Sequence, residues 1–157
     1  MVYYKKGNIF DSTADIICHQ VNCQGKVEAG TAREIISKYP KVFDDYIAYY
    51  KSCYGRAEAM LGKCIITKTD GPHHIASIFG QEYYGFQGCF TVYPAFEQGF
   101  YNLIDLIQLD SSLYKTKSIA VPYGIGCGLA GGDWNIIEKI LKEIFDRAEI
   151  DCEIWKL

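Results

Sequence analysis

Two stretches of this chain carry glycine where glycine has a chemical use. One is Asn22-Cys23-Gln24-Gly25-Lys26-Val27-Glu28-Ala29-Gly30-Thr31-Ala32. The other runs from Gly124 through Ile125-Gly126-Cys127-Gly128-Leu129-Ala130-Gly131-Gly132 to Asp133-Trp134, with five glycines in eleven residues. Without a Cβ, successive backbone N–H groups can turn towards one point and a ligand can come close to the main chain. Where such a loop opens a helix, the unpaired amides of the first turn and the helix dipole favour an anion such as a phosphate. Neither stretch continues into G-K-[ST], and neither fits G-x-G-x-x-G with an acidic residue at the dinucleotide spacing, which disfavours a kinase or a standard dehydrogenase. Two side chains near these loops have acid–base chemistry. His19 is either a proton shuttle near neutral pH or an interior strand histidine satisfied by hydrogen bonds. Asp133 either orients a water or caps the helix that it precedes. Cys127 and Cys23 sit among potential amide donors that would favour a thiolate, but their size suits them to the role of small spacers.

The elements that must position these residues alternate between strand and helix. Short apolar runs predict strands at Ala14–Val21, Lys63–Lys68, His74–Phe79, Ser118–Pro122 and Cys152–Trp155. Helices are predicted at Thr31–Tyr39, stopped by Pro40, and at Lys41–Ser52 and Pro94–Leu109. The clearest helix is Asn135–Ala148, whose Ile136, Ile137, Ile140, Leu141, Ile144 and Phe145 make one apolar stripe. Such alternation predicts an α/β domain with a mixed sheet between helix layers, and both glycine stretches fall where a strand hands over to a helix. In open α/β sheets ligands bind beyond the carboxyl ends of the strands.

The chain has 157 residues, enough for one domain with a substantial core. Sixteen basic against nineteen acidic residues give a formal charge of −3, which argues against binding a nucleic-acid backbone but not against binding one small anion. No apolar run is long enough to cross a bilayer. The first residues lack a secretory signal pattern, so a cytoplasmic location is expected. Seven cysteines, an odd number with no C-x-x-C pair, then read as reduced thiols rather than a disulfide framework. No metal site is expected, because the three histidines supply no ligand spacing, and His73-His74 would face opposite ways on a strand. The stretch Tyr83-Tyr84-Gly85-Phe86-Gln87-Gly88-Cys89-Phe90 is either a surface loop packed on its neighbouring helix or a mobile cover that stacks on a ligand's base.

Taken in order along the chain, these motifs resemble the macro domains. The resemblance runs over Gly7-Asn8-Ile9-Phe10, Ala14-Asp15-Ile16-Ile17-Cys18-His19-Gln20-Val21-Asn22, Gly30-Thr31-Ala32 and Ile125-Gly126-Cys127-Gly128-Leu129-Ala130-Gly131. With Ile36-Ser37-Lys38-Tyr39-Pro40 and Leu61-Gly62-Lys63-Cys64-Ile65 it is most similar to the branch of ADP-ribose-1″-phosphate phosphatases, close to the ADP-ribosyl-glutamate hydrolases. The resemblance implies a three-layer α/β/α macro domain with a central mixed sheet over residues 1–157. It also implies binding of ADP-ribose or a derivative, without a cofactor. Asn8 and Ile9 would meet the adenine, Asn22 the distal ribose, and Gly30, Thr31 and Ala32 the first side of the diphosphate. Gly126, Cys127, Gly128, Leu129, Ala130 and Gly131 would close over its second side. His19 and Asp133 are the candidates for hydrolysis at the distal ribose, either dephosphorylation or deacylation. Some deacylating relatives use a lysine and a loop aspartate, whose places here fall near Gly80 and Gln81 and at Ala130. That departure keeps a non-catalytic ADP-ribose reader as the alternative.

Overall fold

The computed structural model describes residues 1–27, 30–85, 88–110, 112 and 117–157. Six strands form one mixed sheet: β1 (Val2–Lys6), β2 (Ile16–Val21), β3 (Cys64–Thr67), β4 (His74–Phe79), β5 (Ser118–Pro122) and β6 (Asp151–Lys156). They lie in the order β1-β6-β5-β2-β4-β3, with every neighbouring pair parallel except β3 and β4. Among the described residues five α-helices accompany them: α1 (Gly30–Lys38), α2 (Lys41–Ser52), α3 (Ala57–Met60), α4 (Tyr93–Leu109) and α5 (Trp134–Arg147). No helix among the described residues is long and apolar enough to cross a membrane.

The period-two alternation of β2 explains the three layers. Ile16 and Cys18 pack with Phe96, Phe100 and Leu141 from α4 and α5, while Ile17 faces Ile35 and Val42 of α1 and α2. Both faces are covered, so the strand reads as a continuous apolar run, as central parallel strands do. At its far end Val21 joins Phe79, Tyr46 and Met60 in a third cluster under α2 and α3. Aromatic rings tie α4 to α5. Phe100 lies 4.9 Å from Phe96, tilted, and 5.9 Å from Phe145, edge-on.

The predicted strands and helices are all present within a residue or two of their expected ends. Three elements were not predicted. β1, with the sequence VYYKK, is an outermost strand whose residues after Val2 are exposed, so no apolar alternation marks it. The single turn of α3 is too short for a helical stripe. Ile9–Asp11 forms a 3₁₀ turn capped by Asn8, whose Oδ1 accepts from the Phe10 amide at 2.9 Å.

Phe100 is fully buried where the two long helices meet the sheet. Phe100→Ala should lower the unfolding free energy by about 3–5 kcal/mol, read as a lower denaturant midpoint at unchanged slope.

Candidate functional site

β2 and β5 are adjacent and parallel, yet the chain leaves them in opposite directions. From β2 it passes to α1 and on towards β3 and β4. From β5 it passes to α5, on the other face, and returns through β6. This is a topological switch point, where a crevice forms at the carboxyl ends of the strands. The pairing is also short. β2 meets β5 only at Ile16↔Ile119 and Ile17↔Ala120, whereas it pairs with β4 along all six of its residues. Past Ile17 and Ala120 the two strands are no longer paired, and a cleft of about 310 Å³ opens with His19, Gln20 and Asn22 from β2 and its end along one side. A second, shallower hollow of about 880 Å³ continues from it past Asn8, Ile9, Phe10 and Trp155. Gly30, Thr31, Pro122 and Tyr123 line both. Volumes of this order suit a ligand of nucleotide size.

The loop after β2 is held by Tyr46 of α2. Its buried hydroxyl lies 2.9 Å from the Asn22 carbonyl and 2.8 Å from Asn22 Oδ1, and accepts from the Gly25 amide at 3.0 Å. Asn22 Oδ1 also accepts from Gln24 N, and its Nδ2 donates to the Lys26 carbonyl at 2.8 Å. The Asn22 side chain therefore builds the turn and faces the cleft as well. The turn delivers the chain to α1, whose first turn contains no acidic residue and whose opening amides lie at the cleft.

The loop after β5 folds on itself. Cys127 N donates to Gly124 O, Gly131 N to Gly128 O and Gly132 N to Gly126 O. Those bonds leave the amides of Gly126, Gly128, Leu129 and Ala130 without an acceptor among the described residues, and all four residues line the cleft. A Cβ on Gly131 would lie 2.0 Å from the Gly88 carbonyl oxygen, and Gly131 has φ +70°, so no other residue fits there. Cys127 and Gly131, both expected at the ligand, do not line the cleft. The Cys127 amide is spent within the loop, its thiol lies 3.5 Å from the Ile125 carbonyl, and burial pushes that thiol up to about 11.

Of the two candidate acid–base groups, His19 is at the cleft. It is 1% exposed, its Nε2 lies 2.7 Å from Ser77 Oγ, and its Nδ1 has no partner. Burial lowers its pKa to about 4, so the imidazole is neutral at pH 7 and does not shuttle protons there as an ordinary histidine would. Asp133 is exposed, caps α5 with Oδ1 accepting from Asn135 N at 2.8 Å, and is not among the residues lining the cleft. The capping reading is the one its geometry matches. No group of three or more metal-ligating side chains converges among the described residues.

Three features of the cleft rest on contacts that the sequence motifs do not show. Gln20 Nε2 donates to Gln81 Oε1 at 2.8 Å and to Thr91 Oγ1 at 2.9 Å, and Thr91 Oγ1 donates to the Gly126 carbonyl. This chain of bonds ties β2 to the glycine loop and leaves Gln20 Oε1 buried without a donor. Lys26 Nζ lies 3.2 Å from the Tyr84 hydroxyl, joining the ends of β2 and β4 across the cleft. Among the described lining residues of the first hollow there is no carboxylate. Of the aromatic stretch expected as a cover or packed loop, Tyr84 and Gly85 line the cleft, while Phe86 and Gln87 lie outside the described residues, as do Glu28 and Ala29.

No family model matches the chain. It is 37% identical over 67 residues to the ADP-ribose 1″-phosphate phosphatase of Saccharomyces cerevisiae (strain YJM789), a match covering 41% of this chain and 36% of that protein. It is 25% identical over 162 residues to a DNA ADP-ribosyl transferase–DNA ADP-ribosyl glycohydrolase fusion protein of Thermosipho africanus (strain H17ap60334), covering 96% of this chain and 40% of that one. The chain thus spans about two fifths or less of the length of these curated relatives. Among solved structures, the macrodomain of Mycobacterium tuberculosis DarG superposes with a TM-score of 0.79 at 25% identity, covering 100% of this chain and 98% of that one. Thermosipho africanus DarTG in complex with ADP-ribose gives 0.78 at 19% identity, covering 98% of this chain and 41% of that one.

Two outcomes follow from the placement of His19 and Asp133. The unfolded chain binds a proton on His19 near its ordinary pKa of about 6.5 and the folded protein does not until about 4, so stability is lost as pH falls through that window. Relative to His19→Gln, the wild type should lose about 3 kcal/mol between pH 7 and pH 4, read from urea midpoints. Asp133→Ala should cost about 1 kcal/mol through the lost cap and leave ligand affinity within about twofold of wild type by calorimetry.

Proposed function

We propose that this chain, which belongs to the macrodomain family, binds ADP-ribose in the double cleft and hydrolyses a derivative at its distal ribose. ADP-ribose 1″-phosphate is the first substrate. The observation that carries the reading is the set of amides of Gly126, Gly128, Leu129 and Ala130, without an acceptor among the described residues, in a cleft also lined by Gly30, Thr31 and Ala32 of the first turn of α1. Two amide-lined walls with no carboxylate between them suit a diphosphate. The adenosine would then lie in the second hollow. Asn8 there keeps one lone pair of Oδ1 for the adenine amino group after serving the Phe10 amide, and Tyr123, where the hollows join, lies 4.6 Å from the Trp134 ring at a tilt of 47°. The distal ribose would reach His19, Gln20 and Asn22.

In the reaction, water attacks at the distal substituent. The bond to the departing oxygen breaks, the water's proton passes to the departing group, and ADP-ribose and inorganic phosphate leave. His19, neutral and hydrogen-bonded to Ser77, shapes the wall beside the distal ribose and does not act as an imidazolium. Asp133 takes no part.

The non-catalytic reader is the second reading, and one observation favours it. Among the described residues of the first hollow, no carboxylate accompanies His19 as an acid or base. The deciding experiment is calorimetric titration with ADP-ribose, AMP and ATP, followed by turnover assays on ADP-ribose 1″-phosphate, ADP-ribosyl-glutamate and ADP-ribosylated DNA. ADP-ribose should bind at least about tenfold more tightly than AMP or ATP, with phosphate released from the first substrate. ADP-ribose binding with no turnover of any of the three leaves the reader. A folded protein that binds no ADP-ribose removes both.

A further inference from the structure

We propose that Lys26 reads an anionic substituent on the distal ribose, so that the site selects a phosphate monoester over an ester or nucleobase linkage; this rests on the ADP-ribose reading of the cleft. Lys26 is the one side chain with a formal charge among the described residues lining the first hollow. Its position is built. The Asn22 side chain grips its carbonyl at 2.8 Å, and its ammonium is 3.2 Å from the Tyr84 hydroxyl and 5.6 Å from the centre of the Tyr84 ring. Tyr84 is fixed in turn by its own amide, which donates to Gln24 Oε1 at 2.9 Å, and Cys23 N donates to the Glu82 carbonyl beside it. Two segments from the ends of different strands thus hold one ammonium and one phenol at the cleft, on the same stretch of chain as Asn22.

The chemistry of that pair is specific. An ammonium and a phenolic O–H are hydrogen-bond donors, and a phosphate monoester offers several charged acceptor oxygens to them. Lysine is a point charge on a flexible stem, suited to phosphate without demanding one geometry. Free ADP-ribose presents only a hydroxyl there, and an ester or base-linked adduct presents no charge at the linkage. Lys26 therefore strengthens binding of the phosphorylated substrate more than binding of its product, which discriminates by difference between the two and not by overall affinity.

The test compares wild type, Lys26→Met and Lys26→Arg. ADP-ribose affinity is measured by calorimetry, and ADP-ribose 1″-phosphate affinity by stopped-flow competition before turnover. Lys26 is exposed, and equal thermal midpoints confirm that the variants fold. Lys26→Met should weaken ADP-ribose 1″-phosphate about tenfold, leave ADP-ribose within about twofold, and be largely rescued by Lys26→Arg. No change in either ligand, or an equal loss for both, overturns the assignment while wild-type ADP-ribose binding keeps the cleft reading intact. Absence of ADP-ribose binding by the wild type overturns both together.

Discussion

Everything at the site depends on the early parting of β2 and β5. Had these two parallel strands stayed paired to their ends, the ladder between them would run on past Cys18 and Val121 and close the sheet beneath the loops. The pairing instead stops after Ile17 and Ala120, and the chain runs from one strand to α1 and from the other towards α5, on opposite faces. The Gln20 backbone stays in the ladder with β4, and its side chain becomes a strut. Its amide reaches Gln81 and Thr91 and, through Thr91, the carbonyl of Gly126. The cost is a buried, unpartnered Oε1, of the kind that persists where a site has a use for it. Space for that strut is bought with glycine, since a Cβ on Gly80 would lie 2.3 Å from Gln20 Oε1.

The same geometry sets the electrostatics. The protein carries a net charge of −3, yet the first hollow shows no acidic side chain among its described lining residues. Acidic groups close by are turned to structural work. Asp133 is occupied with the first turn of α5, and the Glu82 carboxylate is hydrogen-bonded to the Tyr83 side chain. What remains at the cleft is backbone N–H, amide side chains, a neutral imidazole and one ammonium. Such groups form a field of fixed dipoles that favours an anion without a large positive charge elsewhere.

How much of this was legible in the sequence follows from how local each signal is. Gly126, Gly30 and Asn22 announce themselves because the turns they build are made by neighbours within a few residues. The buried strands and the stripe of α5 are equally local. β1 escaped notice because a sheet edge with exposed Tyr3, Tyr4 and Lys5 needs no alternation. Asp133 was ambiguous because a cap and a cleft carboxylate look the same in a sequence, and only its position beside Asn135 separates them. Tyr46 under Asn22, Thr91 beside Gly126 and Tyr84 against Lys26 are contacts across 24, 35 and 58 positions. No periodicity encodes such pairs. Cys127 and Gly131 were assigned to the ligand with the rest of their loop, but a tight turn divides its residues between those that face the cleft and those that close the turn.

The burial of His19 decides what kind of catalysis this cleft can support. A general base works best when its pKa lies near the working pH, and this imidazole lies well below it. Its value is geometric. Ser77 fixes the ring through Nε2, on a strand that pairs with β2 at that very register, and so the ring is held in one orientation at the cleft wall. A neutral ring fixed in this way, with preorganised amides on the opposite wall, favours rate enhancement through orientation and through donors aimed at developing charge. Under the proposed reading that route suits a phosphate monoester, whose charged oxygens such donors can hold while the departing hydroxyl takes the proton of the attacking water. The donors of the cleft and the charge of Lys26 then act on the same anionic group.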